Sequence, residues 1–142
     1  MKIIDAYSNY KNKYKEYVVL IKSGIFYDVL NDDVGIIYSF FHYKIKNNGS
    51  NYIVGFPSNC LNKVLDTLKS KSINYIVLDK DEEEYYISDK YKANKNNYND
   101  YKIDLSKLNY INYKINDIYS KLNNKILDSD IENILLSIDK LL

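Results

Sequence analysis

The sequence predicts a mixed α/β fold: a mixed β-sheet flanked by helices and followed by a C-terminal helical hairpin. Three observations carry that expectation. β-Branched apolar runs bounded by turn residues, at 17–21 and 73–78, read as buried strands. Between them lie apolar sets at helical spacing, Val34, Ile37, Tyr38 and Phe41, then Leu61, Val64, Leu65 and Leu68. From Ser106 the period changes to an almost heptad stripe of Leu108, Ile111, Ile115, Ile118, Leu122 and the displaced Ile126.

In order along the chain, residues 5–16 read as a short polar helix. Its Tyr7, Tyr10 and Tyr14, with Tyr17 just beyond, form one aromatic stripe. The strand at 17–21 is bounded by Lys22-Ser23-Gly24, and extended character resumes at 26–30. Asn31-Asp32-Asp33 offers N-cap candidates for a helix over 33–42. Residues 43–46 alternate as a strand, 47–50 carry a turn signal, and 52–54 return as a hairpin partner. Pro57-Ser58-Asn59 stops that strand and opens the next helix. After the strand at 73–78, the acidic run 79–84 reads as a solvated turn before an edge strand at 85–87.

The Lys, Asn, Tyr and Asp content of the following stretch predicts a polar linker or loop. The expected organisation is thus a sheet domain over 1–88, a linker over 89–105 and a helical hairpin over 106–142. Ser129 and Glu132 have the spacing of a capping box for the last helix, which carries Ile131, Ile134, Leu135, Ile138 and Leu142. The hairpin either packs back on the sheet domain or dimerises through its apolar stripe.

Composition narrows the function classes. A chain of 142 residues with 46% hydrophobic and 27% charged content has room for one ordinary domain and is not disordered throughout. All 20 basic residues are Lys, and Tyr (17), Asn (19) and Ile (19) are abundant, a bias that fits AT-rich codon usage. The net charge of +1 lacks the strongly basic footprint of an autonomous nucleic-acid binder, so binding to a polyanion needs a localised site. One cysteine, Cys60, and one histidine, His42, exclude a disulfide framework, a cysteine-rich zinc cluster and a His-rich metal site. Cys60 reads as a small core residue, His42 as a cap or packed polar side chain, and Asp32 and Asp33 as capping and solvated acids. No catalytic constellation, cofactor motif, signal h-region or long apolar span is present, so the expectation is a cytoplasmic non-enzyme without membrane contact.

The most informative local pattern is Lys22-Ser23-Gly24-Ile25-Phe26-Tyr27-Asp28. A glycine between two strand-like runs permits a sharp turn. The aromatic after it either joins the core, the commoner fate of a strand Phe, or points outward. An outward Phe beside a short acid suits insertion at a base step, with the carboxylate accepting from a base edge.

The ordered set of elements from about Tyr7 to Asp79 resembles the amino-terminal mismatch-recognition domain, domain I, of the DNA mismatch repair protein MutS. The matching pieces are Tyr14-Lys15-Glu16-Tyr17, residues 18–21 and Gly24-Ile25-Phe26-Tyr27-Asp28. They continue with Asp32-Asp33-Val34, Gly55-Phe56-Pro57, the helix through Leu61, Val64 and Leu68, and Ile76-Val77-Leu78-Asp79. The resemblance implies a MutS N-terminal domain-like fold and a non-enzymatic DNA-binding module, with Phe26 as base-stacking wedge and Asp28 as base contact. Gly24 and Tyr27 of the same motif join the candidate DNA-binding set, and the nearby Lys22, Lys44 and Lys46, with Lys11, Lys13 and Lys15, form either a phosphate-facing rim around Phe26 or an ordinary solvated face.

Two positions depart from the family pattern. Asp28 stands where Glu is usual and is one methylene shorter, and Ile25 stands where an acid is common. No Gly-x-x-x-x-Gly-Lys-Ser/Thr phosphate loop occurs, so the family's ATPase does not lie in these residues. The implied partner is double-stranded DNA with a mismatch or bulge, bound by a stand-alone module that assists repair or serves a mobile element. The C-terminal helices would engage a second copy or a repair protein. The competing reading is a protein-interaction or structural module that keeps the fold without mismatch recognition.

Overall fold

The two most continuously apolar strands, β1 (Val18–Ser23) and β5 (Tyr75–Asp81), occupy the centre of the sheet. The first four residues of each are buried, as expected of strands covered on both faces. In the computed structural model, which describes residues 2–142, these strands are parallel, with Val18 opposite Tyr75 and Ile21 opposite Leu78. β2 (Phe26–Leu30) lies antiparallel on the other side of β1, followed by β4 (Asn51–Pro57) and β3 (Lys46–Asn48), each antiparallel to its neighbour. β6 (Glu84–Tyr91) pairs antiparallel with β5 and closes the opposite edge. The order β3-β4-β2-β1-β5-β6 therefore makes the mixed sheet that the sequence predicts. Its edges are its most polar strands, and their charged, solvated surface opposes edge-to-edge pairing.

Strand alternation divides the sheet into two covered faces. On one, Val19, Ile21, Leu30, Ile76 and Leu78 form a core cluster with Tyr7 of α1 (Ile3–Lys13), and Tyr10, Tyr14 and Tyr17 pack around it. The tyrosine stripe thus lies where its spacing places it. The alternate residues Val18, Leu20, Val29, Val54, Phe56 and Val77 point the other way and are also buried. α2 (Val34–Phe41) touches β2 and β4, and α3 (Leu61–Ser70) buries Val64 and Leu68 between the parallel strands β4 and β5 in the chain.

The hairpin strand expected at 43–46 forms later, at Lys46–Asn48, pairing with the start of β4 across the Gly49-Ser50 turn. The Ser129–Glu132 capping box does not form. α6 (Ile131–Leu141) begins one residue too late for Ser129 to cap it, and its N-cap, Asp130, makes no side-chain bond. By contrast, Asp104 caps α5 (Leu105–Asn124) by accepting from the Ser106 N–H at 2.9 Å.

The polar stretch after residue 88 is more tightly anchored than its composition suggests. β6 continues to Tyr91, Ala93 donates its N–H to Asn74 Oδ1 at 2.8 Å, and Asn96 Oδ1 accepts from the Asn74 N–H at 3.0 Å. Tyr98, in the short helix α4 (Tyr98–Tyr101), is only 2% exposed, and Tyr101 packs its ring 5.0 Å from that of Phe40. The first compact unit accordingly extends to Ile103, and α5 and α6 belong to a second unit, Asp104–Leu142.

A buried polar cluster supplies the anchor. Asp33, expected to be a solvated cap, is fully buried. Its Oδ1 accepts from Lys11 Nζ at 2.7 Å and Tyr98 Oη at 2.6 Å, and its Oδ2 from the Val19 N–H at 3.1 Å. Lys11 also donates to the Tyr17 carbonyl at 2.5 Å and lies 4.6 Å from the centre of the Tyr98 ring. One carboxylate therefore ties together α1, β1 and the 92–103 segment. Burial pushes the Asp33 carboxyl above its ordinary value, opposed by the Lys11 charge and the three donors.

Candidate functional site

β1 and β2 join through a two-residue turn, Gly24-Ile25, closed by the Ser23–Phe26 pair. Gly24 has φ of +60°, while Ile25 keeps a negative φ, the pattern of a turn that requires glycine at its first central position. The turn is braced from the other side. Phe26 pairs with Pro57 of β4, and the Ser58 N–H donates to the Ile25 carbonyl at 2.9 Å.

Alternation along β2 places Phe26, Asp28 and Leu30 on the face covered by α1, and Tyr27 and Val29 on the other. Leu30 reaches the core, Asp28 is half-buried, and Phe26, at the strand's start, is 42% exposed. Ile25 beside it is 74% exposed. The hairpin tip thus presents two adjacent apolar side chains with a recessed carboxylate behind them.

Asp28 sits in a shaped place. It lies opposite Gly55 of β4, where an added Cβ would stand 2.8 Å from Asp28 Oδ1. A side chain at position 55 would force the Asp28 carboxylate to move from its place over that strand. Burial pushes the Asp28 carboxyl above its ordinary value, while a hydrogen bond from Ser23 and the charge of Lys46 pull against that shift. Gly55 and Ser23 stand within motifs the sequence shows, but their contacts with Asp28 appear only in the structure. The available signal was a glycine within a strand, which often marks a close approach by another group.

The raised Asp28 carboxyl has a thermodynamic consequence. The folded protein holds this proton more tightly than the unfolded chain, so Asp28 subtracts stability as pH rises from about 4 through its folded value. The melting temperature of Asp28→Asn relative to wild type should therefore climb across that window and then level off. Asp33 titrates in both proteins, so its contribution cancels in the comparison. A difference independent of pH from 3 to 7 would show that burial of this carboxyl is without effect.

The other sequence-predicted residues divide by face and burial. Tyr27 is 6% exposed, stacks on Phe56 with ring centres 6.2 Å apart, and donates its hydroxyl to Asp79 Oδ1 at 2.7 Å. Lys22 lies over the Tyr27 ring at 4.8 Å, on the face opposite Phe26 and Asp28. Tyr27 and Lys22 therefore brace the hairpin from behind. Lys44 and Lys46 are exposed, as are Lys13 and Lys15 at the end of α1. Lys11 leaves the expected basic rim because its ammonium is committed to Asp33 in the interior.

His42 caps α2 with φ of +54° and its N–H on the Tyr38 carbonyl at 2.9 Å. Cys60, expected in the core, is only half-buried, its Sγ 3.5 Å from Asn59 Oδ1, because it falls in the 3-10 turn before α3 and not on that helix's apolar face. Among the described residues no group of three or more His, Cys, Asp or Glu side chains is placed to hold a metal ion. No helix among them is long and apolar enough to cross a membrane.

Comparison with known families adds one finding. The family model of MutS domain I matches residues 2–123, which include the entire sheet, the Gly24-Ile25 turn and most of α5. No match is found among curated proteins.

Proposed function

The chain belongs to the MutS domain I family, and on that premise we propose that it binds double-stranded DNA at a mismatch or an unpaired base, without catalysing a reaction. The observation that carries the reading is the outward Phe26 at the tip of an otherwise buried strand, with Asp28 on the same face. An imperfect base step costs less to open than a paired one, so an aromatic wedge gains most where stacking is already weak. Phe26 would stack on the displaced base. The Asp28 carboxyl, one residue beyond it on that face, would hydrogen-bond the base edge, accepting when ionised and donating when protonated.

The exposed lysines Lys13, Lys15, Lys44 and Lys46 would supply phosphate contacts. These contacts position a duplex without reading its sequence. Tyr27 and Lys22 would act indirectly, by keeping the hairpin rigid through the Asp79 hydrogen bond and the ring contact. With a net charge of +1, the non-specific share of affinity should be small and easily removed by salt.

The test is titration of matched, mismatched and single-base-bulge duplexes at two salt concentrations. Retained preference for the imperfect duplexes at the higher salt is the expected result. Equal binding to all three that disappears with salt would reduce the interaction to phosphate contacts, and no binding at either salt would favour a protein-interaction module.

A further inference from the structure

The β1–β2 turn carries a second apolar side chain beside Phe26. Among the described residues of the first unit Ile25 is the most exposed large apolar side chain, at 74%. A flexible turn would fold such a side chain back onto the domain, but here the backbone is held from both sides. The Ser23–Phe26 pair closes the turn, Phe26 pairs with Pro57, and the Ile25 carbonyl accepts from the Ser58 N–H at 2.9 Å. On the Gly24 side the tip stands clear, with no atom within 4 Å of where a Cβ would lie. The side chain of Ile25 is itself stiff, because branching at Cβ restricts its first torsion. A rigid apolar group on a rigid turn loses little freedom when it enters another surface.

The spacing of the two side chains suits a base stack. Successive Cα atoms are about 3.8 Å apart across a trans peptide, close to the roughly 3.4 Å rise between successive bases on a strand. Ile25 and Phe26 can therefore address two neighbouring levels of one stack. In a base–base mismatch both bases still fill their level, so there is room for one wedge. At a single-base bulge the facing strand has nothing opposite the extra base, and a second apolar side chain can fill the gap when the step opens. Isoleucine is among the side chains that wedge between bases in this way. Lys46 is near enough to Asp28 for its charge to act on that carboxyl, so a cation stands beside the tip to meet a flanking phosphate.

Taking Phe26 as the wedge of the preceding section, on which this rests, we propose that Ile25 is a second insertion residue and directs the hairpin tip to duplexes with a single-base bulge over those with a base–base mismatch. Phe26 stacks at any imperfect step. Ile25 adds binding only where a base has no partner, and so determines which imperfection is preferred.

The test compares matched, mismatched and single-base-bulge duplexes with wild type, Ile25→Ala, Ile25→Val, Ile25→Thr and Phe26→Ala. Position 25 is exposed, and Gly24 is unchanged in every variant at position 25, so the turn and the fold are retained. Ile25→Ala should weaken bulge binding by about tenfold, the scale of losing part of a buried isoleucine side chain, and mismatch binding by no more than about twofold. Ile25→Val should keep most of the bulge affinity. Ile25→Thr, nearly the same shape as valine but with a hydroxyl, should lose it as Ile25→Ala does. A 2-aminopurine on the unbulged strand, at the step facing the extra base, should brighten when wild type binds and brighten less with Ile25→Ala.

Equal losses on the two imperfect duplexes, no loss on either, or a Thr variant as good as the Val variant would each overturn the role of Ile25. In those cases the reading of Phe26 survives if wild type still prefers imperfect duplexes and Phe26→Ala removes that preference. Wild type that binds all three duplexes alike, or none, overturns both.

Discussion

Asp33→Ala is expected to lower the stability of the sheet unit by about 3–5 kcal/mol, the usual cost of breaking a buried ion pair from one side. Whole domains are stable by only about 5–15 kcal/mol, so the variant should melt far below wild type or fail to fold at ordinary temperature. The cause lies in what remains after the carboxylate is gone. The Lys11 ammonium, its side chain 11% exposed, would keep only the Tyr17 carbonyl and the Tyr98 hydroxyl, while the Tyr98 hydroxyl and the Val19 N–H would lose their acceptor.

A double variant isolates the mechanism. Lys11→Met in the Asp33→Ala background removes the stranded charge and should recover part of the lost stability, although Lys11→Met alone destabilises. Urea melts of the four proteins measure this coupling. If the two losses simply add, the interaction between the charges is not what holds α1 to the 92–103 segment.

Phe26→Ala should reduce affinity for a mismatched or bulged duplex by about 1–3 kcal/mol, or roughly 5- to 150-fold, the range for removing one aromatic that stacks on a base. Binding to a fully paired duplex should change little, because an intact stack gives the ring nothing to occupy. The folded state should also change little, since the side chain is 42% exposed and begins a strand whose entry is already pinned by the Phe26–Pro57 pair and the bond from Ser58 to Ile25. Selectivity and stability are therefore separable at this position, which they are not at Tyr27, whose ring is buried against Phe56. An equal loss for all duplexes would mean that Phe26 merely supports the surface, and no loss for any would remove the wedge from the proposal.

Much of the sheet and the hairpin tip was legible in the sequence. Apolar runs at 17–21 and 73–78 announced buried strands, the tyrosine spacing announced the face of α1, and Gly24 announced a sharp turn while leaving open whether Phe26 joins the core or points outward. What composition misread was the chain after residue 88. Asn and Lys normally signal solvation, but here Asn74 and Asn96 exchange hydrogen bonds with neighbouring backbone, and Tyr98 carries a buried hydroxyl. Asp33 was misread for the same reason. An acid at a helix start looks like a cap until its partner, Lys11, is seen 22 residues away in sequence and 2.7 Å away in space.

By itself the sequence determined the class of fold, the place of the hairpin turn and the family, because these follow from hydrophobic period, glycine and the order of motifs. Only the tertiary structure decided which side each candidate residue serves. It turned Tyr27 inward and Phe26 outward, withdrew Lys11 from the surface, seated Asp28 over Gly55 and extended the first unit to Ile103. The physical reason is common to all of them. Periodicity is a property of neighbours along the chain, whereas burial and charge pairing are set by residues that meet only when distant strands come into register.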